Sequence, residues 1–376
     1  MRKICYISGT RADFGLMKNA LQAIDLDKDL DLEVILTGMH LLKEYGNTYQ
    51  EINKSGLKIS GRVEVELSGD SGSQMSKALG AQIIGFTKIL ESNKPDIVLL
   101  LGDRGEMLAG AITALHLNIP IVHIHGGELS GTIDEHIRHA ISKLAHYHFT
   151  ATNCSKERLI KMGEEAGNIY VTGAPGLDEI RSSKLIKRND LLEKYCIDSM
   201  EPFALLLLHP VVQQLENTKI QVIEIVESML SSNKQILALM PNADAGGRTI
   251  SSVLKKYEMQ GKIKTAVHIE RLEFLSLLSE AEFLAGNSSC GIIEAASLGT
   301  RVLNIGNRQN FRERSDNIVD VTTDKPAIVD GLIRVKRMNS KTFNNIYGDG
   351  RSSNRITSLL KSVSLNPIIL EKVNAY

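Results

Sequence analysis

The sequence of 376 residues has no excess of either charge, since 44 Lys and Arg residues balance 44 Asp and Glu residues. This balance does not suggest the basic surface of proteins that bind nucleic acid or membranes, and we expect neither partner. No apolar run approaches the length of a transmembrane helix, and the run at the N-terminus is too short for a signal peptide. We therefore expect a cytoplasmic protein.

Metal and cofactor signatures are also missing. The four cysteines are scattered without pair spacing, which argues against a zinc motif and against a disulfide framework. The first predicted strand is not followed by G-x-G-x-x-G, and G-x-x-x-x-G-K-[ST] does not occur. These absences argue against a hydride-transfer enzyme and against a P-loop NTPase.

Short apolar runs alternate with amphipathic stretches along the chain, and this alternation occurs in two series. Such a rhythm predicts an α/β fold with two Rossmann-like, doubly wound domains that face a cleft. We expect domains at 1–177 and 178–354, with a linker region from about Asp178 to Glu201. The first series predicts strands at Ile4–Ser8, Leu32–Thr37, Ile97–Leu101, Ile121–His125 and Phe149–Thr152, with helices at Leu16–Ile24 and Gly105–Leu117. The second predicts strands at Phe203–His209, Gln235–Met240, Ala266–Ile269, Ala281–Ala285 and Arg301–Ile305.

The segment Gly286–Glu294 is typical of an anion site. An apolar run precedes it, and Ser288, Ser289 and a glycine then open a predicted helix, whose first N–H groups are free to bind a phosphate. Glu294 follows about one turn later, where a carboxylate can accept two ribose hydroxyls. The segment therefore predicts a nucleotide site. The alternative is a helix capped by Ser288 or Ser289 with nothing bound.

Titratable side chains follow other predicted strands at the same edge. Asp103, Glu128 and Asp134, with His125 close by, suit proton removal from one side of a substrate and proton delivery to the other. Alternatively, Asp103 caps the helix near Gly105, and Asp134 is a first-turn charge on the next helix.

Two basic side chains are candidates for holding phosphate. Arg11 can grip it with two hydrogen bonds, unless it pairs with Asp13. His209 can donate to a phosphate or assist a leaving group. His136, His139, His146 and His148 are interpreted as surface or packing residues and not as metal ligands, since H-E-x-x-H is absent.

With these motifs in place, the sequence resembles the hydrolysing UDP-N-acetylglucosamine 2-epimerases of the bacterial sialic and legionaminic acid pathways. The resemblance runs from about Lys3 to beyond Arg312. Its markers are Gly9–Asp13, Thr37–His40, Tyr45–Thr48, Gly102–Arg104, His123–Glu128, Ile133–Glu135, Ile137–His139, His209-Pro210, Pro241–Asp244, Gly286–Ser289 and Gly306–Gln309.

The resemblance implies the glycosyltransferase-B architecture, with a C-terminal helix at about 355–376 that packs back on the first domain. It implies cleavage of UDP-N-acetylglucosamine to UDP and N-acetylmannosamine through a glycal, with neither cofactor nor metal, by a homo-oligomer (dimer or tetramer). By position, UDP-binding residues are Arg11, Arg104, His209, Asn242, Ser288, Ser289, Glu294 and Arg308. Catalytic residues are Asp103, Glu128, Asp134 and His209, with His125 beside them, where some relatives have Glu.

Other functions remain open at this point. The substrate of a hydrolysing epimerase can instead be UDP-N,N'-diacetylbacillosamine, on the way to legionaminic acid. A non-hydrolysing epimerase would return UDP to the sugar, and a glycosyltransferase would need an acceptor site. A nucleotide-sugar sensor would have no use for Asp103, Glu128 and Asp134, so the three acids favour an enzyme.

Overall fold

The computed structural model describes residues 1–43, 48–66, 71–232, 234–242, 244–338 and 342–376. Its first sheet has seven parallel strands in the order β3-β2-β1-β4-β5-β6-β7. The strands are β1 (Arg2–Ser8), β2 (Leu30–Thr37), β3 (Ile59–Val63), β4 (Ile97–Leu101), β5 (Ile121–Ile124), β6 (Tyr147–Thr150) and β7 (Ile169–Val171). The helices are α1 (Arg11–Asp25), α2 (Tyr49–Lys54), α3 (Gly72–Asn93), α4 (Gly105–His116), α5 (Ile133–Leu144) and α6 (Asn153–Lys161).

A second sheet has six parallel strands in the order β10-β9-β8-β11-β12-β13. They are β8 (Phe203–Leu207), β9 (Gln235–Leu239), β10 (Lys264–Ala266), β11 (Phe283–Gly286), β12 (Arg301–Ile305) and β13 (Ile318–Val321). The remaining helices along the chain are α7 (Gly176–Ser182), α8 (Arg188–Lys194), α9 (Thr218–Leu230), α10 (Gly247–Met259), α11 (Arg271–Glu280), α12 (Ser289–Ile293), α13 (Lys325–Arg337) and α14 (Ser352–Ser362). Two parallel sheets with interleaved helices confirm the predicted α/β fold.

Both faces of the first sheet are covered, and β1 shows why its sequence is apolar throughout. Successive residues of a strand point to opposite faces. Ile4 and Tyr6 pack in the core under α1, whereas Cys5 and Ile7 pack in the core under α4. A strand buried on both faces must be a continuous apolar run, which is why β1 and β4 could be predicted from the sequence.

The three strands that the sequence did not predict are β3, β7 and β13. All three are edge strands, and all three are short and only partly buried. An edge strand contacts solvent along one side, so its residues carry little of the apolar signal on which the prediction depended.

The segment from Asp178 to Glu201 is not a simple linker, and this prediction was wrong. It contains most of α7 and all of α8, and Leu191 and Leu192 of α8 are buried in the core of the second sheet. The segment looked polar because a short surface helix shows only a few apolar residues to the core.

The chain returns to the first domain through α14. Ile356 and Leu360 join the core beside α1, and Arg2 Nη1 donates to the carbonyl oxygens of Leu360 and Val363 at 2.8 Å each. The helix is shorter than the expected 355–376, since only a 3₁₀ turn (Pro367–Leu370) follows it. The domain boundaries at 177 and 354 stay a prediction. Within the described ranges, no helix has the length and apolar character needed to cross a bilayer.

Asp178 caps the returning helix from a distance. Its carboxylate accepts the backbone N–H groups of Ser352 (2.9 Å) and Ser353 (2.5 Å), while the preceding residue Arg351 offers no cap of its own. Free N–H groups at a buried helix start need such a partner.

We expect Asp178→Ala to lower the free energy of unfolding by about 1–3 kcal/mol and to loosen α14, because the buried N–H groups lose a charged acceptor. Limited proteolysis should then cleave near residues 349–376 faster than in the parent protein. Asp324→Ala, which removes the exposed cap of α13, is the matched control. Equal tail cleavage in both variants would contradict this role.

Candidate functional site

The carboxyl ends of the two sheets face one cavity of about 310 Å³. Strand order reverses between β1 and β4 in the first sheet and between β8 and β11 in the second. Such reversals are where open α/β sheets bind ligands. Ten predicted site residues line this cavity, namely Arg11, Asp103, Arg104, His125, Glu128, His209, Asn242, Ser288, Ser289 and Arg308.

Two predicted site residues do not line this cavity. Asp134 lies behind Arg308, with Oδ2 at 3.2 Å from Arg308 Nη2. Glu294 lines an adjoining cavity of about 140 Å³, where its carboxylate pairs with Arg271. Glu294, which was predicted to bind the ribose, therefore forms an ion pair with Arg271 in this structure.

The acids of the first domain are held by arginines that were not predicted as site residues. Asp103 pairs with Arg138 of α5, whose side chain is fully buried and also donates to the Glu128 carbonyl oxygen at 3.1 Å. Arg104 stands at the start of α4 and no side chain caps that helix, so the capping alternative for Asp103 is wrong. Asp103 is fixed by charge pairing.

Glu128 is buried, and each of its two carboxylate oxygens contacts a different side chain. One carboxylate oxygen contacts His125 Nδ1, and the other contacts Arg312, which comes from the second domain. Burial alone would raise the pKa of Glu128, but Arg312 and His125 outweigh it and the net pKa is lowered. Glu128 is thus a carboxylate at neutral pH. His125 itself has φ +62, a strained backbone conformation for a residue with a side chain.

A second charged group joins the domains at Arg104. Its guanidinium contacts Glu106 at 2.9 Å in its own domain and Asp244 at 3.0 Å in the other. Burial alone would raise the pKa of Asp244, but Arg104 and Arg308 outweigh it, so the net pKa is lowered. Arg104 is therefore paired before any phosphate arrives.

Arg11 does not pair with Asp13. The Asp13 carboxylate is occupied by Ser8 and by the N–H groups of Gly9 (3.0 Å) and Thr10 (2.6 Å), which fixes the start of α1. Arg11 Nη1 instead lies 2.7 Å from Nδ1 of His268 in the second domain. Its guanidinium thus faces the cleft.

His209 is fixed by Asn287 and is neutral. The Asn287 amide accepts from the His209 N–H at 2.7 Å and donates to the His209 carbonyl at 2.8 Å. Desolvation, together with the positive charges of Arg308, Arg104 and Arg11, lowers the pKa of His209 to about 3. An incoming anion would reverse this balance.

The predicted anion-binding turn is built around Gly286. Its φ is +131, and a Cβ there would lie 2.0 Å from the Leu207 carbonyl oxygen, so only glycine fits. The turn leads into α12, which has five residues and begins after Ser288 without a side-chain cap. The hydroxyl groups therefore do not cap the helix as the alternative required.

Several residues at the site were not predicted as site residues, chiefly Arg138, Asp244, His268, Arg271 and Arg312. Each of them contacts a partner from a distant part of the chain, and a short sequence motif does not indicate such a contact. The marker residues 45–47 and residue 243 lie outside the described residues. Within the described ranges, no group of three or more His, Cys, Asp or Glu side chains is arranged to hold a metal ion.

Two Rossmann-like domains that share a polar cavity define the glycosyltransferase-B architecture, which occurs in enzymes of nucleotide-sugar chemistry. A sequence model described as UDP-N-acetylglucosamine 2-epimerase matches residues 22–361. The chain belongs to this family.

Known proteins support this assignment. UDP-N,N'-diacetylbacillosamine 2-epimerase (hydrolyzing) of Legionella pneumophila is 48% identical over 376 residues, covering 100% of both chains. UDP-N-acetylglucosamine 2-epimerase of Neisseria meningitidis is 34% identical, covering 94% of this chain and 93% of the relative. A crystal structure of the Methanocaldococcus jannaschii UDP-GlcNAc 2-epimerase, in complex with UDP-GlcNAc and UDP, superposes with a TM-score of 0.79 at 22% identity. It covers 95% of this chain and 99% of that one.

The neutral state of His209 gives a test by calorimetry. If a diphosphate binds beside His209, its negative charge raises the imidazole pKa, so UDP binding at pH 6 should take up a fraction of a proton. UDP itself titrates near pH 6. The informative quantity is therefore the difference in proton uptake on UDP binding between the parent protein and His209→Gln. Titrations in buffers of different ionisation enthalpy measure it. Identical proton linkage in both proteins would place the diphosphate away from His209.

Proposed function

We propose that the protein is a hydrolysing 2-epimerase that converts a UDP-2-acetamido sugar to UDP and the free 2-epimeric sugar. The observation that carries this proposal is the division of charge across one cavity. The first domain supplies carboxylates (Asp103, Glu128), and the second supplies groups suited to a diphosphate (His209, Arg308 and the turn at Ser288-Ser289).

The first step is an elimination. A carboxylate of the first domain removes the proton from C2 of the sugar, the C1–O bond to the diphosphate breaks, and its electron pair leaves on the β-phosphate oxygen. A C1=C2 double bond, and so a glycal, results. We assign stabilisation of the leaving group to Arg11, Arg104, His209 and Arg308. Loss of one such fixed donor typically costs ~3 kcal/mol of transition-state stabilisation.

The second step is hydration. Water adds its hydroxyl group to C1, and C2 receives a proton on the face opposite to the one that lost it, so the configuration at C2 is inverted. Two proton-transfer groups on different sides of the sugar are required. Asp103, Glu128 with His125, and Asp134 are our candidates. Asp134 becomes available when a phosphate takes its place on Arg308.

For the substrate, we propose UDP-N,N'-diacetylbacillosamine, because the Legionella relative that carries this name is 48% identical over the full length of both chains. UDP-N-acetylglucosamine is the second candidate, supported by the Neisseria relative at 34% identity and by the description of the family. The sequence resemblance had placed UDP-N-acetylglucosamine first and UDP-N,N'-diacetylbacillosamine second, and the proposal reverses that order.

We also propose the setting of the reaction. The enzyme works in the cytoplasm as a homo-oligomer, and its free sugar product enters the synthesis of legionaminic acid or, with the second substrate, of sialic acid. Size-exclusion chromatography with light scattering reports the oligomeric state.

The reaction and its substrate can be tested together in heavy water. We expect incubation with UDP-N,N'-diacetylbacillosamine to release UDP and the free 2-epimeric sugar with one deuterium at C2, since the proton returned to C2 comes from solvent. NMR and mass spectrometry measure the label. Comparison of kcat/KM for both UDP-sugars ranks the substrates. Recovery of a UDP-linked epimer, or of an unlabelled sugar, would contradict the proposal.

Asp103→Asn should reduce turnover by roughly 100-fold or more, because an amide cannot exchange a proton with C2. The variant should still bind UDP within a few-fold of the parent protein, since the uridine diphosphate is held mainly by the second domain. Asp330→Asn, on the exposed face of α13, is the control. Full activity of Asp103→Asn would remove Asp103 from the mechanism.

A further inference from the structure

Arg312 is the one residue of the second domain, among the described side chains, that is paired with Glu128. It lies on the loop after β12, its side chain is only 7% exposed, and it points back across the cleft. One guanidinium nitrogen contacts Glu128, and the other lies 3.9 Å from Asp103 Oδ2. Its Nε has no hydrogen-bond partner, and both ion pairs described for Arg312 are with acids of the first domain.

We propose that Arg312 is a positioning residue that sets the ionisation and orientation of Glu128 from across the cleft. This inference rests on the proposed function, since it assigns Arg312 to the same site. In the proposed function, the second domain binds the uridine diphosphate and the sugar lies against the first domain. Arg312 thus joins the domain that binds the nucleotide to the acids that act on the sugar.

The surroundings of Glu128 show what Arg312 contributes. On its own side Glu128 faces His125 and, further off, His123. Arg138 of α5 donates to the backbone oxygen and not to the carboxylate, and Arg158 of α6 donates to the oxygen of Gly127. Asp103 and the Tyr347 hydroxyl lie nearby, and neither offers positive charge. Arg312 is thus the permanent cation on the carboxylate itself.

Removal of this cation has a defined consequence. A buried carboxylate without its cation binds a proton more readily, so the pKa of Glu128 should rise. Glu128 is active as a carboxylate in our proposal. A variant without Arg312 should then need a higher pH for activity, whereas binding of the uridine diphosphate should change little.

Arg312→Met and Arg312→Lys form the test, with Asn310→Ala on the same loop as control. We expect Arg312→Met to lower kcat by roughly 100-fold with KM and UDP affinity within a few-fold, and to move the acidic limb of kcat/KM up by about one pH unit. Arg312→Lys keeps the charge but not the fork of donors, so it should restore the acidic limb while kcat recovers only in part.

A second measurement does not depend on turnover. The carboxyl carbon of Glu128, labelled with ¹³C and assigned with Glu128→Gln, is titrated by NMR with UDP bound, in the parent protein and in each variant. A higher pKa in Arg312→Met supports the proposal. An unchanged Glu128 pKa, or lowered activity with an unshifted acidic limb in both variants, overturns it. If Arg312→Met does not fold, Arg312→Gln, which also removes the charge, takes its place under the same criteria. Absence of turnover by the parent protein would instead refute the proposed function and leave the NMR result standing.

Discussion

The organisation of this protein depends on charge pairs that cross the cleft between its two domains. Arg104 of the first domain meets Asp244 of the second, and Arg312 of the second meets Glu128 of the first. A third pair joins Arg308 to Asp134. A buried charge without a partner is costly, so these pairs favour an arrangement in which both domains face each other at short range. The polar cavity is what remains between them.

The same pairs also decide which charged groups line the site. Asp244 and Asp134 occupy two arginines that are suited to phosphate, and neutral His209 stands beside them. A diphosphate carries more charge than either carboxylate and can replace them. In the proposed mechanism, binding of the nucleotide releases Asp134 from Arg308, which links substrate binding to the arrangement of the acids. Arg312 contacts Glu128 and neither of these two carboxylates, so its pair does not compete with a phosphate.

Much of the fold was predictable from the sequence, for a physical reason. Parallel strands buried on both faces must be apolar along their whole length, so the central strands such as β4 and β12 were predicted with the observed bounds. The edge strand β13 and the helices α7 and α8 were missed, because a half-buried element carries a weak pattern. The C-terminal helix was expected from family resemblance, but its cap Asp178 lies 174 residues away in the sequence.

The site was predictable to a similar degree. Residues that directly follow a strand, such as Asp103 and His209, were found because topology alone brings strand ends together. Residues such as Arg138 and Arg312 were not, because their roles depend on partners in other elements. Asp134 and Glu294 show where this reasoning fails. Both were predicted to face the ligand, and in the structure both are paired with arginines.

The most direct test of the account is a crystal structure of the Asp103→Asn protein with its UDP-sugar bound. The account predicts the β-phosphate between His209, Arg308 and the turn at Ser288-Ser289. It also predicts C2 of the sugar within reach of residue 103 or Glu128, with Arg312 still on Glu128. A nucleotide bound outside this cleft, or a hexose that points away from these first-domain residues, would contradict it.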